Sequence, residues 1–327
     1  MVSSRGLGDV YKRQKGHSVL GALEGFAVIG FIIFVGFLLG RSGVLGSQGQ
    51  RVLASTVFYV STPALLYDLI AEAPLERIFS PAIFATAGSA SLVGIALFTF
   101  SYFKHRSLGR AVMSGWAVSY VNIGNLGIPI AIYVLKSSSY VPPIMLFQLV
   151  ILAPLGMVIL DIHQAKRAGT LAHWWTPLLQ VIRNPILIGA AVGLFFAITG
   201  LRLPQIIHDP VSMIGATSVP LTLLAFGISL KDGWAVPARG TRTDLTLITV
   251  VKLGVQPLIA WVIGGPLLGF TGIDLMAIVV TSALPTAQNV YVYSMRYRMA
   301  ETLVRDAVFV TTILSFPTIV LLSALLS

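Results

Sequence analysis

The 327-residue chain has no cysteine, and charge is nearly as scarce: 12 acidic and 22 basic side chains make up only 10% of it. Without thiols there is neither a disulfide framework nor a thiolate metal site, and the redox compartment stays unread. A soluble domain carries about 25% charged residues. With 56% hydrophobic residues and a mean hydropathy of +0.87, this chain cannot cover a water-facing surface. It is an integral membrane protein. Five histidines (His17, His105, His163, His173 and His208) lie outside the apolar centres, and no two have ligand spacing, so no bound metal is expected. No apolar run holds a carboxylate pair, there is no phosphate-binding glycine loop, and no nucleophile stands beside a base. An enzyme is therefore not expected, nor ATP-driven transport by this chain alone. No cofactor is expected beyond a coupling ion, H+ or Na+. The net charge of +10 is scattered between apolar runs rather than gathered in a patch, which argues for membrane topology and against nucleic acid.

What is present is a series of ten apolar runs, about 22–40, 50–71, 81–103, 109–135, 141–162, 184–200, 209–230, 244–269, 272–295 and 302–326. Each approaches the roughly 20 residues that cross a bilayer core. The loops after runs 1, 3, 5, 7 and 9 hold fourteen lysines and arginines; those after runs 2, 4, 6 and 8 hold only Arg77, Lys136 and Arg202. The positive-inside rule puts the first set in the cytoplasm and both termini outside a cell (plasma or inner) membrane. The segment "MVSSRGLGDVYKRQ" has no apolar centre, and its basic residues would lie on the wrong side, so residues 1–18 read as an extraneous or disordered tail. Residues 163–183, with Trp174 and Trp175, read as an amphipathic cytoplasmic connector between two five-helix units, 19–162 and 184–327.

The two units share spacing. A shift of 157 residues aligns Gly36 with Gly193, Ser61 with Ser218 and Pro63 with Pro220, and a shift of 156 aligns Pro129 with Pro285. Five runs per unit make the second enter the membrane in the opposite sense. Inverted repeats with broken helices in matching places are a recurring plan of secondary transporters, with the site at the midplane. The breaks here are "NIGNLGIP" (122–129) and "ALPTAQN" (283–289). Backbone groups freed there must face protein or a water-filled cavity, and a half-helix starting at a break presents a positive dipole end suited to an organic anion.

The ten-run pattern, "PALL" in run 2, "NIGNLGIPIA" in run 4 and "LPTAQNVYVYS" in run 9 resemble the auxin efflux carrier family over residues 22–327. That resemblance implies an all-α membrane protein of ten helices in two inverted five-helix repeats, with broken helices 4 and 9 crossing, as in bile-acid and sodium–proton transporters. Runs 1, 2, 6 and 7 would form a scaffold and the others a moving core. It implies transport of small carboxylates or auxin-like acids by alternating access, with a homodimer through the scaffold left open. A carrier of bile-acid-like substrates coupled to sodium and a non-transporting receptor on the same fold are the competing readings.

The substrate-site candidates are Asn122, Gly124, Asn125, Gly127 and Pro129 in run 4, Pro285, Gln288 and Asn289 in run 9, and Lys252 in run 8. The asparagines could instead satisfy backbone groups freed by the glycines, and the prolines could be plain kinks. Lys252 is an unusual charge within an apolar run, where it either serves as a counter-charge or snorkels to the interface. Asp68, Gln148 and Gln256 are the ion-coupling candidates. For Asp68 the plainer reading is a rim carboxylate, and for Gln148 an ordinary helix contact.

Overall fold

The computed structural model describes residues 27–46, 48–72, 80–168, 182–230 and 239–326. Residues 1–18, read above as a tail, most of the connector with Trp174 and Trp175, Arg77 and Lys231 lie outside the described residues. Among the described residues, six helices are long and apolar enough to cross a membrane: α2 (Gly49–Ala71), α3 (Ala82–His105), α5 (Val141–Lys166), α7 (Gln205–Ser229), α8 (Arg242–Leu267) and α10 (Glu301–Leu326). Shorter apolar helices are α1 (Ala27–Ser42), α4b (Ile123–Tyr133), α6 (Pro185–Thr199) and α9a (Gly272–Ser282). Two more pieces, α4a (Leu108–Ser119) and α9b (Gln288–Tyr297), complete runs 4 and 9, each of which is broken at its middle. All regular structure among the described residues is helical, apart from one isolated antiparallel bridge between Val121 and Thr286.

The local sequence explains where helices start and widen. Helix α6 opens with Asn184, whose side chain accepts from the Ile186 N–H at 2.9 Å, followed by Pro185, and closes on Gly200 at φ +68°. That is the usual asymmetry of a proline inside the start and a left-handed glycine past the end. Wide π-type turns at Val57–Ser61, Ile123–Gly127, Phe147–Leu152 and Val251–Val255 each end two residues before a proline: Pro63, Pro129, Pro154 and Pro257. A proline lacks the N–H and its ring collides with the carbonyl one turn back, so the preceding turn opens.

Large apolar side chains such as Phe31 (69% exposed), Phe84 (68%) and Ile206 (84%) point outward. In water they would be an association hazard; they suit contact with lipid. Inside, α2 packs against α6 and α7, while α3 packs against α4a, α8 and α9a, and α10 against α8, α9a and α9b. Backbones approach closely at small residues, as membrane helices require. A Cβ on Gly36 of α1 would lie 2.4 Å from the Leu224 carbonyl oxygen of α7, and one on Gly193 of α6 would lie 2.8 Å from the Tyr67 carbonyl oxygen of α2. Hydroxyls meet between α2 and α7: Ser61 with Thr217 at 2.8 Å, and Thr62 with Ser218 at 3.0 Å.

Candidate functional site

Helix α4a ends at Ser119 because Tyr120 turns extended (ψ 99°), and Val121 lies antiparallel to Thr286 from the break in α9. Two backbone bonds close the pair: Asn122 N–H donates to the Pro285 carbonyl at 2.8 Å, and Ala287 N–H donates to the Tyr120 carbonyl at 2.9 Å. Each interruption thus satisfies backbone groups freed by the other, in a place where lipid could not. Thr286 anchors the second strand from both sides. Its N–H donates to the Thr311 hydroxyl of α10 at 3.1 Å, and its own hydroxyl donates to the Ala117 carbonyl of α4a at 2.6 Å.

Helix α4b starts from a side-chain cap: Asn122 Oδ1 accepts from the Asn125 N–H at 3.2 Å. Asn125 in turn donates through Nδ2 to Gln288 Oε1 at 3.2 Å, joining the two breaks by their side chains. Helix α9b has Ala287 at its cap position, which offers no side-chain acceptor. The Asn122 Nδ2 amide is buried without a partner.

Beside this junction lies a cavity of about 570 Å³. Its polar lining includes Asn122, Asn125, Gln148, Gln288 and Asn289, with Gly124 beside them and Arg51 as its one charged lining residue among those described. The walls opposite are Phe58 and Thr62 of α2 and Phe226 of α7. A second space of about 670 Å³ continues from it past Gln50 and Phe226 towards α10.

The structure therefore brings five of the nine proposed substrate residues to one cavity edge. Gly127, Pro129 and Pro285 are fully buried and shape the backbone rather than line the space. The two prolines differ in role: Pro129 sits within a helix that starts at Ile123, whereas Pro285 lies outside any helix and offers its carbonyl to Asn122. Lys252 is wholly buried, does not line the cavity, and donates to Gln256 Oε1 at 2.6 Å. Gln256 and Gln148 share a small cavity of about 10 Å³ with Thr86, Ser119, Thr281 and Ser282, and neither amide atom of Gln148 has a partner. Asp68 lies apart from both, near the end of α2, 3.7 Å from His208 Nε2. Sequence reasoning missed Thr286, Tyr120 and Arg51. Thr286 stood inside the quoted break, but nothing in the pattern set its hydroxyl apart from an ordinary membrane threonine bonding to its own helix.

The profile of the family described as "Membrane transport protein" matches residues 22–323. The chain belongs to this family. That bears out the resemblance read from the motifs in runs 2, 4 and 9, and makes the protein a multi-pass membrane transporter. Two relatives carry names in keeping with it. A "Putative malonate transporter" of Rhizobium meliloti (strain 1021) is 23% identical over 297 residues, covering 88% of this chain and 90% of that protein. An "Uncharacterized transporter" of Methanothermobacter thermautotrophicus is 25% identical over 319 residues, covering 94% of this transporter and 99% of the relative. A transporter needs groups that hold and release a solute rather than groups that cleave bonds, and the neutral amides around the cavity are of that kind.

Proposed function

We propose that this transporter is a secondary carrier of small organic anions, and that it binds a carboxylate where the breaks of α4 and α9 meet. The observation that carries the reading is the mutual closure of the two breaks beside a cavity whose lining includes their four amides, Asn122, Asn125, Gln288 and Asn289. The uncapped start of α9b offers backbone N–H groups and the positive end of a helix dipole, which favour an anion. Malonate, which the name of the Rhizobium relative mentions, belongs to the substrate class we assign.

We further infer an inverted repeat, because contacts reproduce themselves under the sequence shift. Moving by 165 residues exchanges the Asn122–Pro285 bond with the Ala287–Tyr120 bond. Moving by 157 exchanges the Gly36–Leu224 approach with the Gly193–Tyr67 approach. Ser61 and Thr62 bond to the residues 156 positions on. A two-fold axis in the membrane plane would generate such pairs, and rocking of one group of helices past the other then gives alternating access. The cavity mouth beside Gln50 and Arg51 lies at the end that the charge bias assigns to the cytoplasm, in keeping with an inward-open state.

For coupling, the small cavity between Gln148 and Gln256 is the favoured place. Lys252, wholly buried and bonded to Gln256 beside this space, is a titratable amine placed to take up and release a proton, and we assign the coupling to a proton. The test is uptake of labelled malonate and of monocarboxylates into liposomes holding purified protein, with and without an imposed pH gradient. Saturable uptake that follows the gradient supports the carrier. Binding without flux of any of these anions would make the protein a receptor on a transporter fold.

A further inference from the structure

Away from the junction, a cavity of about 920 Å³ opens at the basic end of the helices, where the α3–α4a turn, the end of α5 and the α9b–α10 turn converge. Its lining contains His105, Arg110, His163 and Arg298 and, among the described residues, no carboxylate. Two acids bond to this lining: Asp244 accepts from Lys104 at 2.7 Å and from Arg110 at 2.5 Å and lies 2.8 Å from His105 Nε2, and Asp161 accepts from the Tyr297 hydroxyl at 2.7 Å, so that Arg298 and His163 are the lining cations outside these pairs. Arg110 keeps a buried Nε without a hydrogen-bond partner. Ser107 and Gly109, from the cap and first turn of the 12-residue α4a, lie in the same lining and bring a helix N-terminus to it.

The walls are fixed against each other. A Cβ on Gly109 would fall 1.9 Å from Met299 Sδ, so the two turns touch across the cavity floor. Arg106, Arg298 and Ala300 hold left-handed conformations (φ 52°, 54° and 52°), which non-glycine residues adopt at a cost. Phe103 (61% exposed) and Ile162 (48% exposed) stand two positions and one position from His105 and His163, and present apolar surface at the same end. A cationic recess beside lipid-facing side chains matches a phosphate headgroup with its acyl chains still in the bilayer.

We propose that this cavity binds the phosphate of an anionic phospholipid, through Arg298, His163 and the start of α4a. The test uses the intact protein in mixed micelles, with bound lipid read by native mass spectrometry and stability by thermal unfolding. Phosphatidylglycerol is expected to be retained and to raise the melting temperature relative to phosphatidylcholine. The double variant Arg298→Gln/His163→Gln should reduce that retention by about tenfold, whereas Arg41→Gln, at the basic end of α1 and outside the cavity, should leave it within about twofold. Equal loss in Arg41→Gln, or unchanged retention in the double variant, overturns the site. Inorganic phosphate giving the same stabilisation to lipid-free protein, and displacing the lipid, would overturn the lipid assignment in favour of a soluble phosphate.

Discussion

In α4 the chain breaks after Ser119 and resumes as a wide turn capped by the side chain of Asn122; in α9 it breaks after Ser282 and resumes at Gln288 as a regular helix capped by nothing but Ala287. The first break satisfies its new helix start from within. The second is secured from outside, by Thr311 and Ala117 through Thr286, and leaves its helix start open. Two segments that look equivalent in sequence therefore differ: both supply amide side chains, and α9 adds bare backbone donors at an uncapped helix start. An anion would be drawn towards the α9 side, with Asn125 reaching across to Gln288 to hold the pair in register.

The largest effect that would break this comparison is on transport. Asn125→Ala removes the side-chain bond to Gln288 that joins the breaks, and is expected to lower uptake by about a hundredfold, or ~2.7 kcal/mol, with membrane insertion unchanged. Gln288→Ala should cost less, about tenfold, because the backbone donors of α9b remain. Liposome uptake read against membrane-fraction yield decides it; wild-type flux in both variants would remove the junction from the transport path. Next in size is a stability effect confined to the α9 side. Thr286→Val keeps the shape but leaves the Ala117 carbonyl without its donor, and should cost about 1–3 kcal/mol in thermal or denaturant unfolding. Thr286→Ser restores the hydroxyl and should recover most of the loss.

How much of this was legible beforehand follows from which forces act locally. Apolar run length and the lysine and arginine bias marked the runs that became α1 to α10, since both reflect the cost of polar groups in lipid residue by residue. The glycines, asparagines and prolines of 122–129 and 283–289 marked the interruptions for the same reason. What stayed hidden was pairing. Nothing local to Pro285 says that its carbonyl accepts from Asn122, and nothing local to Thr286 says that its hydroxyl serves a different helix. Lys252 was conspicuous as a charge among apolar residues, yet its partner, Gln256, lies one turn along the same helix, and the cavity it was expected to line is walled by other residues. Asp68 stood out for the same reason and sits by His208 at a helix end. Charge in an apolar run signals that something must satisfy it, without saying where.

A smaller substitution sharpens the division between the breaks most directly. Ala287 occupies the cap position of α9b, is 4% exposed, and lines the cavity. Ala287→Ser adds an oxygen able to accept from the first-turn N–H groups, as Asn122 does for α4b. A side-chain cap is worth about 0.5–2 kcal/mol, so the variant should be the more stable protein in thermal unfolding. The same N–H groups are those assigned to the substrate carboxylate, so anion binding should weaken, by a few-fold in a ligand-induced thermal shift. The two effects have opposite signs only if the bare helix start is the anion's seat. Had the uncapped start been a mere defect of packing, filling it would raise stability and leave the affinity for malonate where it was.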